Sequence, residues 1–453
     1  MIEKLNPWVE GKRVLILGFG REGRSTWKVL KQLGTCACLD LADQREIPFE
    51  EGMERRISGP DYQSVLNDYD VVFKSPGIVL ERPAGELDCQ ILSQTQVFFS
   101  LFRDQIIGIT GTKGKSTVTS LMHHILKTAG RDVRMLGNIG IPAFDHLEEI
   151  GPQTRIVFEL SCHQLEYMTV SPHIALLINI HQEHLDHYGT MERYVAAKEQ
   201  IFLHQLPSDV LVCNVQCKPK PGSCPSRLIL AGTDCGEAQL NLKIEADRPP
   251  RIEFEGISYE IPADKIRLNG AHNYFDIAMV YGVCRLAGIS EADFTRGIKT
   301  YQPLPHRLQF VGEKDGVRYF DDSISTICDT AIQALKTLED VDTVLIGGMD
   351  RGIDYGELIR FLSSHPVRHI VLMEASGKRI YREILESCPE FQGKERLILA
   401  EHLEEAVKAA RKLTRPGHSC LLSPAAASYG IFRNFEERGE EFARLALEED
   451  GDF

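Results

Sequence analysis

The sequence predicts an α/β protein built as three modules in a row, each around a mostly parallel sheet. Three observations carry this expectation. Short apolar runs such as RVLIL, IIGIT and TVLIG each run into a glycine turn, the way a strand buried on both faces hands over to a helix. Helix-patterned segments separate these runs along the whole chain. The 453 residues exceed what one hydrophobic core organises, and about three domains suit that length.

The first module is expected over residues 1–101. KRVLILGFGREGRSTWKVLKQLG reads as strand, glycine turn and helix, and CACLD as a second strand ending at Asp40. Gly18, Phe19, Gly20 and Gly23 form a Gly-x-Gly-x-x-Gly turn, and Asp40 follows Gly18 by 22 residues, the spacing of an acidic residue that holds a ribose. The module is therefore Rossmann-like and suited to a nucleotide-type ligand. Lys74-Ser75-Pro76-Gly77-Ile78, after another strand, offers a second backbone-lined turn toward the same sheet edge. The alternation ends near QVFFSLF.

The second module, residues 102–303, is of the P-loop ATPase type. Its first strand runs into Gly111-Thr112-Lys113-Gly114-Lys115-Ser116-Thr117 and then helix-like sequence. Backbone N–H groups of such a loop surround phosphate oxygens, Lys115 reaches the terminal phosphates, and a hydroxyl of Ser116 or Thr117 can ligate Mg²⁺. The spacing departs from the usual loop: Ile109 occupies the position of its first glycine, flanked by Gly108 and Gly111. RIVFELS, IALLINI and DVLVCNV read as further strands, residues 216–265 as short antiparallel edge strands, and NYFDIAMVYGVCRLAGI as a helix. The third module, residues 304–453, begins at a hinge, Leu304-Pro305-His306-Arg307. Strands RYFDDS, TVLIGGM, HIVLME and SCLLSP, with helices such as EEAVKAARKL, make it a second Rossmann-like unit.

A net charge of −14 argues against binding nucleic acid through phosphate neutralisation. With no leader of signal type and no run of about 18 apolar residues, the chain reads as cytoplasmic, without membrane insertion. The 12 cysteines form no repeating frame; Cys213, Cys217 and Cys224 lack a CxxC or nearby His and read as free thiols.

Taken in order, TGTKGKST, Asn138-Ile-Gly140, Glu159-Leu-Ser, Asn179-Ile-His-Gln-Glu183-His184-Leu-Asp186, Ala-Ala-Lys198, Gly270-Ala-His272-Asn273, His306-Arg307, Asp321-Asp322-Ser323 and Gly347-Gly-Met-Asp350-Arg351-Gly resemble the Mur ligase family throughout. The ending, Ser423-Pro-Ala-Ala-Ala-Ser428 and Phe432-Arg-Asn-Phe435-Glu-Glu-Arg-Gly439, looks most like its glutamate-adding branch. The resemblance implies an acid–amino-acid ligase that acts as a monomer. ATP phosphorylates the carboxylate of UDP-N-acetylmuramoyl-L-alanine, and the amine of glutamate attacks the acyl phosphate. It also implies roles. Lys115, Glu159, His184 and Lys198 serve the chemistry. Ser116 or Thr117 with Glu159 holds one Mg²⁺, and His184 with a carbamylated Lys198 a second. Gly111 to Thr117, Asn273, Arg307 and Asp322 hold ATP. Gly18, Phe19, Gly20, Asp40, Ser75, Pro76, Gly77 and Asn138 hold the UDP-linked substrate, and Thr326, Arg351, Ser428 and Phe435 the glutamate. One departure stands out: Ile324 replaces the lysine that faces the glutamate side chain in the family, so ligation of L-glutamate is an alternative to D-glutamate. An NAD-dependent oxidoreductase built on the first glycine turn is a more distant alternative and leaves the phosphate loop idle.

Overall fold

The computed structural model describes residues 1–138, 142–181, 185–268, 270–338, 340–388 and 391–449. The chain divides into two compact units, Met1–Gln302 and Pro303–Phe453. The first unit holds two sheets and the second holds one, so three α/β modules follow one another as the sequence predicts.

Strands β1 (Arg13–Leu17), β2 (Cys38–Asp43), β3 (Arg56–Ser58), β4 (Val71–Lys74) and β5 (Gln90–Leu92) form an all-parallel sheet in the order β3-β2-β1-β4-β5. Chain order reverses between β1 and β4, and a ligand crevice belongs at such a switch point. The turns after these two strands meet there. Ser75 donates its N–H to the Leu17 carbonyl (2.8 Å) and its hydroxyl to the Gly18 carbonyl (2.9 Å). A Cβ at position 23 would stand 1.9 Å from the Gly18 carbonyl oxygen, so the helix Arg21–Leu33 closes on the turn only with glycine there.

QVFFSLF folds into the helix Gln94–Phe102, which joins the first sheet to the second. Phe98 and Phe99 pack on Phe158 with ring centroids 5.8 and 5.0 Å apart, and one core takes in Phe73 of the first sheet and Leu177 of the second. The second sheet comprises β6 (Ile106–Thr110), β7 (Val133–Gly137), β8 (Arg155–Glu159), β9 (Ile174–Leu177), β10 (Val210–Asn214), β11 (Arg227–Thr233), β12 (Leu240–Lys243), β13 (Arg251–Phe254) and β14 (Ile257–Glu260). Its order is β14-β13-β12-β11-β10-β9-β6-β8-β7. The segment expected to form antiparallel edge strands does so from β12 to β14, while β11 extends the parallel part. β6 lies between β8 and β9, so the phosphate loop leaves the sheet with the ends of both strands beside it.

In the second unit, β15 (Gln309–Lys314), β16 (Val317–Asp321), β17 (Val341–Gly347), β18 (His369–Met373), β19 (Leu397–Ala400) and β20 (Ser419–Leu422) run in the order β15-β16-β20-β17-β18-β19, parallel except for β15.

Candidate active site

The loop after β6 is braced by its neighbours. Asn179 accepts the N–H groups of Thr112 (2.9 Å) and Lys113 (2.8 Å) on its side-chain oxygen and donates to the Lys113 carbonyl (3.1 Å). Gly114 sits at φ +82°, in the left-handed region, and a Cβ there would meet both carboxyl oxygens of Asp276 at 3.1 Å. Burial raises the Asp276 carboxyl well above the usual carboxylate range, beside a loop suited to anions. Asn273 stands one turn before Asp276 on the helix Ala271–Leu286, which packs on the helix Lys115–Thr128. Ser116 and Thr117 occupy the first turn of the latter. Lys115 folds back on the loop, its Nζ donating to the carbonyls of Gly111 (3.0 Å) and Thr112 (2.9 Å).

Glu159 ends β8 in register with Ile109, next to the loop. It is 1% exposed; Asn138 donates to its Oε1 (2.8 Å), while Oε2 is buried with no partner among the described residues. An uncompensated carboxylate oxygen costs several kcal/mol unless a cation meets it. Glu159 therefore fits a hard cation such as Mg²⁺, with the hydroxyls of Ser116 and Thr117 as further oxygen donors. Among the described residues no group of three or more His, Cys, Asp and Glu is placed to hold a metal ion. Glu183 and His184 lie outside the described residues. Lys198 is 1% exposed; its Nζ donates to the Gly111 carbonyl (2.7 Å) and lies 4.9 Å from the centre of the Tyr194 ring. A carbamate on Nζ would keep one N–H for that carbonyl and add two acceptor oxygens, so the residue fits carbamylation.

Three adjoining cavities run from the first sheet to this loop. One of about 750 Å³ lies over the ends of β1, β2 and β4, with Gly18, Gly20, Asp43, Ser75 and Gly77 in its walls. One of about 240 Å³ shares Gly20 and Ser75 with it and adds Pro76, Asn138 and Ser161. One of about 350 Å³ shares those three and reaches Lys115, His163 and Lys198. The structure corrects one residue. Asp40 is buried in β2 and accepts the Tyr69 hydroxyl (2.8 Å), away from the cavity wall. β2 continues for three residues to Asp43, whose carboxylate accepts the N–H groups of Phe19 (2.7 Å) and Arg45 (2.9 Å) at the cavity edge. The buried pair Leu41-Ala42 was the signal for the longer strand. Phe19 contributes its backbone there; its ring is buried against Trp27, 6.0 Å between centroids.

In the second unit, Arg307 is exposed on a turn whose flanking residues, His306 (φ +59°) and Leu308 (φ +44°), are both left-handed. Such backbone persists only where its surroundings enforce it. His306 pairs with Asp321 (2.6 Å), and Asp322 accepts the Leu308 N–H (3.2 Å) and the Ser423 hydroxyl (2.8 Å). Asp322 thus braces the turn that presents Arg307, and burial pushes its carboxyl up to about 6. Arg351 donates to the Thr326 carbonyl (3.1 Å), and Met349 bridges to Ala427 beside the buried Ser428. Ser323 donates its hydroxyl to the Phe435 carbonyl (2.8 Å). The fully buried Arg438 ties these loops together, reaching Ser323 Oγ (2.9 Å) and the carbonyls of Ser323 (2.8 Å) and Ala426 (3.0 Å). Thr326, Arg351 and Ser428 therefore lie on loops that follow β16, β17 and β20, with Ile324 half-buried, and Phe435 opens the helix Phe435–Leu447.

Residues 109–284 match the Mur ligase middle domain, and residues 306–426 the Mur ligase, glutamate ligase domain. The chain is 31% identical to the UDP-N-acetylmuramoylalanine--D-glutamate ligase of Pelotomaculum thermopropionicum over 96% of its own length and 97% of that protein. It is 30% identical to the enzyme of the same name from Clostridioides difficile, over 96% and 98%. In fold it is similar to MurF from Acinetobacter baumannii (TM-score 0.58, 17% identity, covering 97% of this chain and 92% of that one). The MurF ligase of Thermotoga maritima gives a TM-score of 0.54 at 18% identity, over 97% and 96%. By these matches, which span both of its units, the chain belongs to the Mur ligase family.

Proposed function

We propose that the protein is an ATP-dependent ligase of peptidoglycan precursor synthesis that joins D-glutamate to UDP-N-acetylmuramoyl-L-alanine through an acyl phosphate. The observation that carries this reading is the run of three cavities from the Gly18 turn to Lys115 and Lys198. An elongated nucleotide-linked acid laid along it has its nucleotide end near Asp43 and its carboxylate near the phosphate loop. There the loop amides and Lys115, released from its loop carbonyls, hold the phosphates, while Asn138 fixes Glu159. Glu159 with Ser116 or Thr117 would hold Mg²⁺, which would supply charge neutralisation for phosphoryl transfer. Asn273, Arg307 and Asp322 serve ATP, the last by bracing Arg307. Thr326, Arg351, Ser428 and Phe435 hold the amino acid, with the Arg351 guanidinium paired to a carboxylate. The reading places the enzyme in the cytoplasm, acting as a monomer; no helix of the described residues is long and apolar enough to cross a membrane.

D-Glutamate follows the names of the relatives. L-Glutamate is the second reading, favoured by Ile324, which leaves the side-chain carboxylate without the family's lysine. Phosphate release from ATP with UDP-N-acetylmuramoyl-L-alanine and each glutamate enantiomer tests both. The preferred enantiomer decides between them, and no release with either would overturn the proposal.

A further inference from the structure

Amide formation from an ammonium needs somewhere for a proton to go. The cavity around Lys115 and Lys198 has one imidazole among its described walls, that of His163. It sits in the first turn after Ser161, whose side chain caps the short helix Cys162–Leu165. Behind it the His187 ring stands edge-on, 4.5 Å between centroids, and His187 Nε2 is 3.1 Å from Glu166 Oε2. Other described groups around His163 include Cys162 (Sγ 3.8 Å from Nδ1), the stacked Tyr188 ring, and Lys115 and Lys198, which line the same cavity. Glu166 behind His187 places a carboxylate that can offset positive charge arriving on the imidazole pair. Lys74, buried beneath the Ser75–Gly77 turn, faces Glu166 in turn.

We propose that His163 accepts the proton of the incoming amine in the ligation, with His187 and Glu166 as positioning residues behind it. The inference rests on the proposed function. If the acyl phosphate forms beside Lys115, the attacking nitrogen must come within bonding distance of its carbonyl carbon, so the proton is released in this cavity wherever the amino acid is first held. The N–C bond forms as the C–O bond to phosphate breaks, and phosphate leaves with that electron pair. Of the two protons the ammonium loses, one passes to His163 and on to water, and one departs on the phosphate; the amide keeps the third.

The test uses the full chain, as wild type, H163Q and E166Q, in rapid-quench turnover with ATP and UDP-N-acetylmuramoyl-L-alanine. ADP formed before any amine is added reports acyl-phosphate formation. Glutamate then reports assisted amide formation, and hydroxylamine, an amine largely unprotonated at neutral pH, reports attack that needs no base. In H163Q the glutamate reaction should fall on the order of 10²-fold, while ADP formation and hydroxamate formation stay within a few-fold of wild type and added imidazole restores part of the loss. In E166Q the acid limb of kcat/KM against pH should move to lower pH. Unchanged ligation in H163Q, equal losses with glutamate and hydroxylamine, or an unmoved acid limb in E166Q would overturn the inference. Wild-type enzyme that forms no ADP from the UDP-linked substrate would instead overturn the proposed function on which it stands.

Discussion

Glu159 ends a buried strand with one carboxylate oxygen that no group of the described protein satisfies. A fold tolerates that cost where a cation repays it, so stability and activity should separate at this residue. E159Q removes a buried charge while keeping the shape. It should melt no lower than wild type yet lose kcat on the order of 10²-fold or more, measured by thermal unfolding beside ADP release. A lower melting temperature with retained activity would make Glu159 structural. The two aspartates of β2 separate along the same line. Asp43 organises the turn that faces the large cavity, whereas Asp40 serves Tyr69. D43A should raise KM for the UDP-linked substrate about tenfold, equivalent to about 1.4 kcal/mol. D40N should leave KM alone and cost about 1 kcal/mol of stability. The acidic residue itself was legible from the glycine fingerprint. Its identity was not, because spacing from Gly18 allows either aspartate and only the point where pairing with β1 stops chooses between them.

At the scale of elements, most of the parallel strands were legible because both faces of each are buried, which writes a continuous apolar run into the sequence. β3, β5, β7 and β19 were not, since short runs with half-buried or exposed positions carry no such pattern. The Glu166–His187–His163 line was also hidden, because its members meet only after two segments of the central module fold together. The Arg307 turn lay between. His306 and Arg307 are visible as a motif, but the strained backbone that displays Arg307 exists only through long-range partners. This turn should respond to pH. The hydrogen bond to Asp321 raises the His306 pKa above its ordinary 6.5; burial opposes it, and the Asp321 charge adds a smaller rise. A group whose pKa is raised by folding stabilises fully below its unfolded pKa and loses that contribution as pH rises through the folded value. In thermal unfolding from pH 6 to 9, wild type should therefore exceed H306Q most at pH 6, the gap narrowing upward. A gap that widens with pH would reverse the assignment.

The described residues form three sheets but two compact units, and the difference lies in where apolar surface is shared. Phe73, Phe98, Phe158 and Leu177 belong to one core that crosses from the first sheet to the second, while Pro303–Phe453 has two cores of its own. A fragment of residues 1–101 would expose the Phe98 and Phe99 rings that pack on Phe158, each worth roughly 1.5–3 kcal/mol of burial, a large share of the few kcal/mol that hold a domain of that size. Residues 1–302 and 303–453, expressed separately, should each unfold cooperatively in urea by circular dichroism, and residues 1–101 should not. The larger fragment carries every described wall of the three cavities, so it should bind UDP-N-acetylmuramoyl-L-alanine in calorimetry within a few-fold of the full chain. It lacks Arg307 and the amino-acid loops, so it should release no phosphate from ATP above background. Loss of UDP-substrate binding in a folded 1–302 fragment would mean that the second unit supplies part of that site, and the division of labour between the units would have to be redrawn.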